Sequence, residues 1–464
     1  MKIYNTLSHQ VEDFKPLNPP KVGMYSCGPT VYDYQHIGHM RRYVGDDILI
    51  RILKYNGFQV HHVMNITDVG HLVSDSDTGE DKMEKGAKKF GKSVWDIAKM
   101  FEEQFKNSCQ ELNIQLPKDL MHATDFIKEQ IALVQVLEEK GFTYQTSDGI
   151  YFDTAKFPDY FKLSRQNPEE LRAGARIEMG EKKNVSDFAL WKFSPKDEKR
   201  QMEWESPWGM GFPGWHIECS AMSMKALGDT FDIHTGGIDH INIHHTNEIA
   251  QSEAATGKPF VKYWVHHAFL QIEGEKMSKS LQNIYTVEQI IDRGYDPLAL
   301  RYLYLQTHYR QEMNFTFEAL EAAQNALNRL RKEIAGYVQS SNSVPEYEDQ
   351  FTEAINDDLN MPKALAILWE VVRSGKSNSE KLATVLKFDE VLGLSLDNSK
   401  LLVRKQEKVP PEVQKMLDER EALRKEKKFT EADKIREKIL AMGYKVEDPP
   451  VGPLRSEASE TGRN

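Results

Sequence analysis

Three sets of side chains in this 464-residue chain have the types and spacing to do chemistry. The first is Cys27-Gly-Pro-Thr-Val-Tyr-Asp-Tyr-Gln-His36-Ile-Gly-His39. Two histidines three apart at a helix start can donate to phosphate oxygens, where free backbone N–H groups and the helix dipole already favour an anion. Gly38 lets a ligand approach the backbone closely. The second is Gly274-Glu-Lys276-Met-Ser-Lys279-Ser280, a glycine-started loop with two lysines and two hydroxyls. Such a loop can close on a polyphosphate and neutralise charge developing on a leaving group. The third joins His244 and Glu248, spaced i, i+4 on one helix face, with Cys219 at the start of a facing helix and Cys27. Two thiolates, an imidazole and a carboxylate suit zinc. Each set has a plainer reading on its own. An isolated His-x-x-His is more often a helix cap, a lysine–serine loop is usually solvated surface, and a buried cysteine is commonly inert.

The elements around these residues read as open α/β. An apolar run Val22 to Cys27, a helical pattern from about Gly38 with Val44, Ile48 and Ile52 at i, i+4, and a second run Phe58 to Val63 make a βαβ unit, with Asn56-Gly57 as the helix stop. Ligands of such sheets bind beyond the carboxyl ends of the strands, where Cys27 and His36 fall. Leu120 to Pro195 reads as a charged insertion of helices and short strands. Helix His216 to Leu227, strand Thr230 to His234, helix Ile243 to Ala255 and strand Tyr263 to Ile272 form a second α/β half. Thr286 and Gln289 offer a capping box. Beyond Phe317, Leu320, Leu327 and Leu330, then Ala364, Leu365, Ile367, Leu368 and Val371, predict an amphipathic helical bundle. Asp389 to Pro411 reads as a linker, and Glu412 to Met442 as a charged helical hairpin.

Composition bounds the function classes. With 40% hydrophobic and 28% charged residues the chain can bury several cores, and disordered or fibrous classes are excluded. No run nears the ~20 apolar residues of a membrane span, and Met1 to Val22 lacks a signal pattern, so a cytoplasmic location is expected. Three dispersed cysteines exclude a disulfide scaffold. The net charge of −11 argues against non-specific nucleic-acid binding but leaves room for a local basic face.

Taken together, the His-Ile-Gly-His turn after the first strand and the Lys-Met-Ser-Lys-Ser loop after the last resemble the paired signature of class I aminoacyl-tRNA synthetases. Further stretches narrow this: Asn65-Ile-Thr-Asp68, Glu170-Leu-Arg-Ala-Gly-Ala-Arg176, Asp187-Phe-Ala-Leu-Trp-Lys192, Trp204-Glu-Ser-Pro-Trp-Gly209, Pro213 to Met222 and Asn247-Glu-Ile-Ala-Gln-Ser-Glu253. Along nearly its whole length the chain is similar to the cysteinyl-tRNA synthetases. The resemblance implies an α/β fold: a Rossmann-like parallel-sheet catalytic domain with an α+β insertion, then an α-helical anticodon-binding bundle and a small C-terminal domain. It divides the chain into catalytic halves 1–118 and 201–272, a connective insertion 119–200, a lysine-loop and stem-contact region 273–316, a helical tRNA-binding bundle 317–395, and a linker with anticodon domain 396–464.

The implied reaction is ATP-dependent activation of L-cysteine to cysteinyl-adenylate, followed by transfer to the 2′-hydroxyl of the terminal adenosine of tRNA(Cys). By resemblance Cys27, Cys219, His244 and Glu248 hold one zinc that takes the substrate thiolate and separates cysteine from serine. His36 and His39 contact the ATP phosphates, Lys276 and Lys279 stabilise pyrophosphate, and Asp239 meets the ribose hydroxyls. Gly28, Thr67, Trp215 and His234 line the amino-acid pocket. Mg²⁺ accompanies ATP, and a monomer is expected. Val69-Gly-His71-Leu, the extended Asp75 to Lys88 stretch, Thr235, Thr246, Gln282 and the tail Gly452-Pro-Leu-Arg455 depart from the family pattern, and none removes a proposed ligand. Two rivals remain. A ligase passing activated cysteine to an amino sugar would need no long helical region, and a silent zinc-containing RNA-binding module would need no phosphate signatures.

Overall fold

The computed structural model describes residues 1–70, 81–118, 120–167, 180–195, 200–276, 284–338 and 342–397, and beyond these 415, 416, 419, 420, 423 and 428–441. Residues 1–398 and 399–464 are separate units.

In chain order the first unit opens with the hairpin β1 (Lys2–Asn5) and β2 (Gln10–Asp13), then β3 (Lys21–Ser26), α1 (Ile37–Tyr55) and β4 (Gln59–Ile66). Helices α2 (Lys82–Phe90) and α3 (Val94–Glu111) lead to β5 (Leu120–His122). The insertion follows: α4 (Ile127–Glu139), β6 (Thr143–Gln145), β7 (Gly149–Phe152), β8 (Phe188–Phe193) and β9 (Gly211–Pro213). Then come α5 (Trp215–Leu227), β10 (Phe231–Gly237), α6 (His244–Thr256) and β11 (Val261–His267). Short strands β12 (Leu270–Ile272) and β13 (Glu275–Lys276) precede α7 (Val287–Asp292), α8 (Pro297–Leu305) and β14 (Met313–Phe315). Helices α9 (Phe317–Ile334), α10 (Pro345–Asn356), α11 (Met361–Arg373) and α12 (Asn378–Leu392) end the unit, and α13 (Phe429–Ala441) belongs to the second.

The central sheet has the order β11-β10-β3-β4-β5, with every pairing parallel. From β3 the chain moves one way to β4 and β5, and later returns to build β10 and β11 on the other side. The strand order therefore reverses between β3 and β10, and a crevice must open beyond their carboxyl ends. The insertion carries its own antiparallel sheet, β6-β7-β8-β9, with the rings of Phe142, Phe152 and Phe188 stacked at 5.8 and 5.2 Å.

Helix α1 is buried over most of its circumference, including Val44, Ile48 and Ile52 but also Arg41, Asp46, Asp47 and Arg51. Buried charges need partners: Asp46 and Asp47 pair with Arg42 and Arg51 one turn away, whereas the partners of Arg41 come from far along the chain. Arg41 donates to four carbonyls: Nη1 to Ala268 (2.9 Å) and Phe269 (2.6 Å), Nη2 to His308 (3.3 Å) and Gln311 (2.6 Å). This grip bends the chain, so that the expected single strand Tyr263 to Ile272 is two strands in different sheets, β11 and β12.

The helical region packs as its periodicity predicts, with Leu320, Leu327, Leu330, Ala364, Leu368 and Val371 fully buried. The expected linker starts later than Asp389. Helix α12 continues through that residue to Leu392, Gly393 closes it at φ 65°, and the Asp389 carboxylate accepts the N–H groups of Leu394 (2.6 Å) and Leu396 (2.7 Å). Both leucines are buried, and that burial holds the turn closed. Of the expected terminal hairpin, α13 is described, and most of its first limb lies outside the described residues.

Candidate active site

The crevice at the strand-order reversal is a cleft of about 580 Å³, within the size range of small-molecule sites. Its walls include nine of the residues singled out by sequence: Cys27, Gly28, His36, His39, Thr67, Trp215, Cys219, Asp239 and His244. Glu248 and His234 are fully buried and do not line it. Lys276 ends β13, paired with Gln271, and Lys279 and Ser280 lie outside the described residues, as do Glu170 to Arg176.

One wall is the turn from β3 to α1. Gly28 is needed there because a Cβ would overlap the Asn65 carbonyl, and its N–H donates to Asn65 Oδ1 at 2.6 Å. His36 caps α1, its Nδ1 accepting the His39 N–H at 3.3 Å. The ring proton of neutral His36 is therefore on Nε2. The two rings stack at 3.5 Å. Desolvation by the groups packed around it, then the charges of His36, Arg42 and His240, lower the pKa of His39 below the ordinary histidine range although the residue is exposed, which favours its neutral form near pH 7. No acidic residue stands in the first turn of α1, which leaves the positive end of the helix for an anion. Arg42 ties this wall together, donating to Asp46 Oδ2 (2.9 Å) and to the Cys27 carbonyl (2.5 Å).

The floor is built from β3, α5, β10 and α6. Ligand atoms of Cys27, Cys219, His244 and Glu248 all lie within 4.8 Å of one another, and all four residues are buried. His244 Nε2 is 3.2 Å from Glu248 Oε1, and that oxygen has no hydrogen-bond donor. His244 Nδ1 is paired with His216 Nδ1 at 2.9 Å, which frees Nε2 as a lone-pair donor when Nδ1 carries the proton. A second group, Cys27, His234, His245 and Glu248, shares two members with the first. Its histidine and carboxylate already satisfy each other, His234 Nε2 donating to Glu248 Oε2 at 2.9 Å. The first group is thus the one with two sulfurs and an unmatched oxygen, and it fits a metal ion. Burial raises the Cys27 thiol, but a hydrogen bond from Cys219 and the imidazoles of His245, His240 and His244 outweigh it and hold Cys27 well below the usual value. The same bond to Cys27, then burial, pushes Cys219 well above it.

Beside the floor, Thr67 Oγ1 donates to Glu218 Oε2 (3.0 Å) and accepts from Asn65 Nδ2 (3.0 Å). The Trp215 ring lies 4.8 Å from that of His244. His234 stacks on Trp264 at 4.7 Å behind Glu248, so it acts on the cleft through that carboxylate. Asp239 projects from the turn after β10 with its side chain 58% exposed, free to accept from a ligand's hydroxyls. Asn65, His216 and Glu218 are given no role by the sequence. The signal for His245 was present, since six of the fifteen histidines fall between residues 234 and 267.

The model for the catalytic domain of class I (C) tRNA synthetases matches residues 13–325, the DALR domain model 350–397, and the cysteinyl-tRNA ligase anticodon-binding domain model 406–451. The cysteine–tRNA ligase 1 of Burkholderia lata is 50% identical over 453 residues, covering 97% of this chain and 96% of that one. The chain belongs to the cysteine–tRNA ligase family. The Treponema denticola member is 43% identical, covering 97% of this chain and 98% of its own. Membership makes the chain an enzyme, an aminoacyl-tRNA synthetase of class I. The fold is shared more widely. A methionyl-tRNA synthetase of Mycobacterium tuberculosis in complex with methionyl-adenylate superposes with TM-score 0.55 at 16% identity, covering 81% of this chain and 90% of that one. The LeuRS of an Agrobacterium radiobacter ternary complex does so with TM-score 0.57 at 12% identity, covering 85% and 86%. Among the described residues no helix is long and apolar enough to cross a membrane.

Proposed function

We propose that the chain activates L-cysteine with ATP and transfers it to the 2′-hydroxyl of the terminal adenosine of tRNA(Cys), acting as a cytoplasmic monomer. The observation that carries this reading is a single cleft with the His36–His39 helix start on one wall and the buried Cys27–Cys219–His244–Glu248 group at its floor. Those four side chains would hold zinc, whose chemistry when bound is to accept a substrate thiolate where a serine hydroxyl is a poor ligand. Every other role falls to the chain's own groups. Thr67, its proton given to Glu218, keeps a lone pair for the substrate ammonium, and Trp215 closes the pocket beside it. The cysteine carboxylate attacks the α-phosphorus in line and pyrophosphate leaves, a step that needs positioning and charge neutralisation. His36 donates from Nε2 to phosphate oxygen, neutral His39 donates beside it, and Lys276 and Lys279 neutralise the leaving group. Asp239 accepts from the ribose hydroxyls, and ATP arrives with Mg²⁺. The 2′-hydroxyl then attacks the adenylate carbonyl, and AMP leaves.

In this reading residues 1–118 and 201–272 carry the reaction, 119–200 and 273–316 guide the acceptor end, and 317–395 with 396–464 engage the rest of the tRNA. The test is cysteine-dependent exchange of pyrophosphate into ATP, followed by charging of tRNA(Cys), with the full metal-loaded chain. Both reactions are expected with cysteine, and neither at comparable rate with serine. No cysteine-dependent exchange would overturn the reading, and transfer to an amino sugar in place of tRNA would reassign the acceptor.

A further inference from the structure

Helix α2 carries a charge pattern that the reaction described above does not use. Residues 82–92 contain five lysines and one acid in a chain whose net charge is −11, so the local excess is not a matter of composition. The helix turns Met83, Gly86 and Ala87 inward and leaves Lys85, Lys88 and Lys89 exposed, with exposed Lys92 following just beyond the Gly91 cap. Residues three and four apart share a helix face, so like charges there repel at a cost of ~0.2–0.5 kcal/mol per pair. The one acid, Glu84, is turned to Gln201, accepting its backbone N–H (3.1 Å) and its side-chain amide (3.3 Å).

This face adjoins the cleft. A Cβ on Gly86 would touch the Tyr32 carbonyl at 3.2 Å, and Lys89 Nζ lies 3.9 Å from Asp33 Oδ1, Tyr32 and Asp33 both being cleft-wall residues. The next wall residue, Tyr34, leaves 47% of its surface exposed. Its ring stands edge-on to Phe101 at 5.0 Å, and Phe101 meets Phe90 at the end of α2 at 5.5 Å, so a chain of rings fixes Tyr34 relative to the lysines. A row of cations leading to an exposed, rigidly held aromatic ring is the arrangement that binds single-stranded nucleic acid, phosphates on the charges and a base on the ring. A duplex would use the lysines and leave the ring idle, because its bases are already stacked.

We propose that the exposed lysines of α2 and the Tyr34 ring form a track for the unpaired 3′ end of the tRNA on its way into the cleft. This rests on the ligase reading above and adds an RNA-binding surface to it. The test uses the full chain with Lys85→Gln, Lys88→Gln and Lys92→Gln combined, and measures tRNA(Cys) affinity between about 50 and about 200 mM salt beside cysteine-dependent pyrophosphate exchange. The expected result is unchanged exchange, a tRNA Kd raised ~10-fold at low salt, and a log–log salt slope shallower by about 2, at ~0.7 per lost phosphate contact on a single strand. For Tyr34→Ala the KM for tRNA rises ~5- to 100-fold, the worth of one stacked base, while Tyr34→Phe keeps it. A tRNA trimmed of its unpaired 3′ nucleotides is bound equally by the triple variant and the unaltered chain. An unchanged slope, an equal loss of exchange, or the same loss of affinity for the trimmed tRNA would overturn the proposal. Absence of exchange in the unaltered enzyme would instead overturn the reading on which it rests.

Discussion

The cleft floor and the joint between α1 and the helical region both bury charge, and they settle it differently. At the joint, fully buried Arg301 donates Nε to the Leu392 carbonyl (2.7 Å), Nη1 to the carbonyls of Leu112 (2.9 Å) and Asn113 (3.1 Å), and Nη2 to Asp47 Oδ2 (2.6 Å). Arg51 Nε reaches the same Asp47 oxygen at 2.7 Å, and Asp47 Oδ1 accepts the Gln115 N–H at 2.9 Å. Each charged group finds its partners within the chain. On the floor, Glu248 Oε1 has no donor although it is completely buried, and two sulfurs and His244 Nε2 face the same space. A buried polar group without a partner costs ~1–3 kcal/mol, more if charged. The joint uses its charges to hold the fold, whereas the floor gathers two sulfurs, an imidazole nitrogen and an unmatched carboxylate oxygen, a donor set that fits a metal ion.

That contrast can be broken. The largest effect is expected at the floor: Cys219→Ser should reduce bound metal to a small fraction, by elemental analysis, and cysteine-dependent exchange by on the order of 10³-fold, the several kcal/mol that one metal contact supplies. Full metal content in that variant would mean that the floor is as closed as the joint. Next, Arg301→Ala should cost ~3 kcal/mol in urea unfolding, because a buried ion pair is broken and the Leu112 and Leu392 carbonyls lose their side-chain donor, even though Arg51 still holds Asp47. A single-variant cost under ~1 kcal/mol would show that the joint is not balanced by its internal partners. His216→Phe tests the support of the floor. It should weaken metal affinity ~10- to 100-fold in competition with a chromophoric chelator and leave the unfolding midpoint close to that of the parent.

The smallest effect sets the scale for a pair that water reaches. Glu102 and His122 lie 2.9 Å apart on the surface of the insertion boundary. The hydrogen bond from His122 is the main reason that the Glu102 pKa falls to about 2, and the same bond raises that of His122. The Glu102 share of stability is present above the ordinary carboxylate pKa and is lost as pH falls toward about 2. The His122 share is complete below the ordinary histidine value and is lost as pH rises through its raised folded value. Their common window is therefore about pH 5 to 6. There His122→Gln should cost under ~1 kcal/mol, and at about pH 9 nothing measurable, by thermal unfolding across pH.

What the sequence made legible follows from what is local. The βαβ unit, the Asn56-Gly57 stop and the capping box of Thr286 and Gln289 depend on neighbours within a few residues, and they stand where periodicity and cap chemistry predict them. The same holds for α5 and α6, which begin within a residue of expectation. The break after His267 was not legible, because its cause is a guanidinium on α1 more than 220 residues earlier. Asp389 reads as a linker for a similar reason: burial of Leu394 and Leu396 fixes its turn, and neither residue differs in type from linker apolars. At the site, motif residues with a helical spacing were visible, whereas Asn65, Glu218 and His216 matter only through partners on other strands and helices. Cys109 lies on the buried face of α3, and burial pushes its pKa well up.

The Arg41 grip also bears on how the chain is made. Its four carbonyl partners lie 227 to 270 residues downstream. At ~5–20 residues per second a ribosome needs on the order of ten to fifty seconds to supply them. Until then the cation on α1 lacks the partners that bury it. The wall that carries His36 and His39 is therefore among the first parts to be synthesised, yet it cannot be completed until Gln311 has been made.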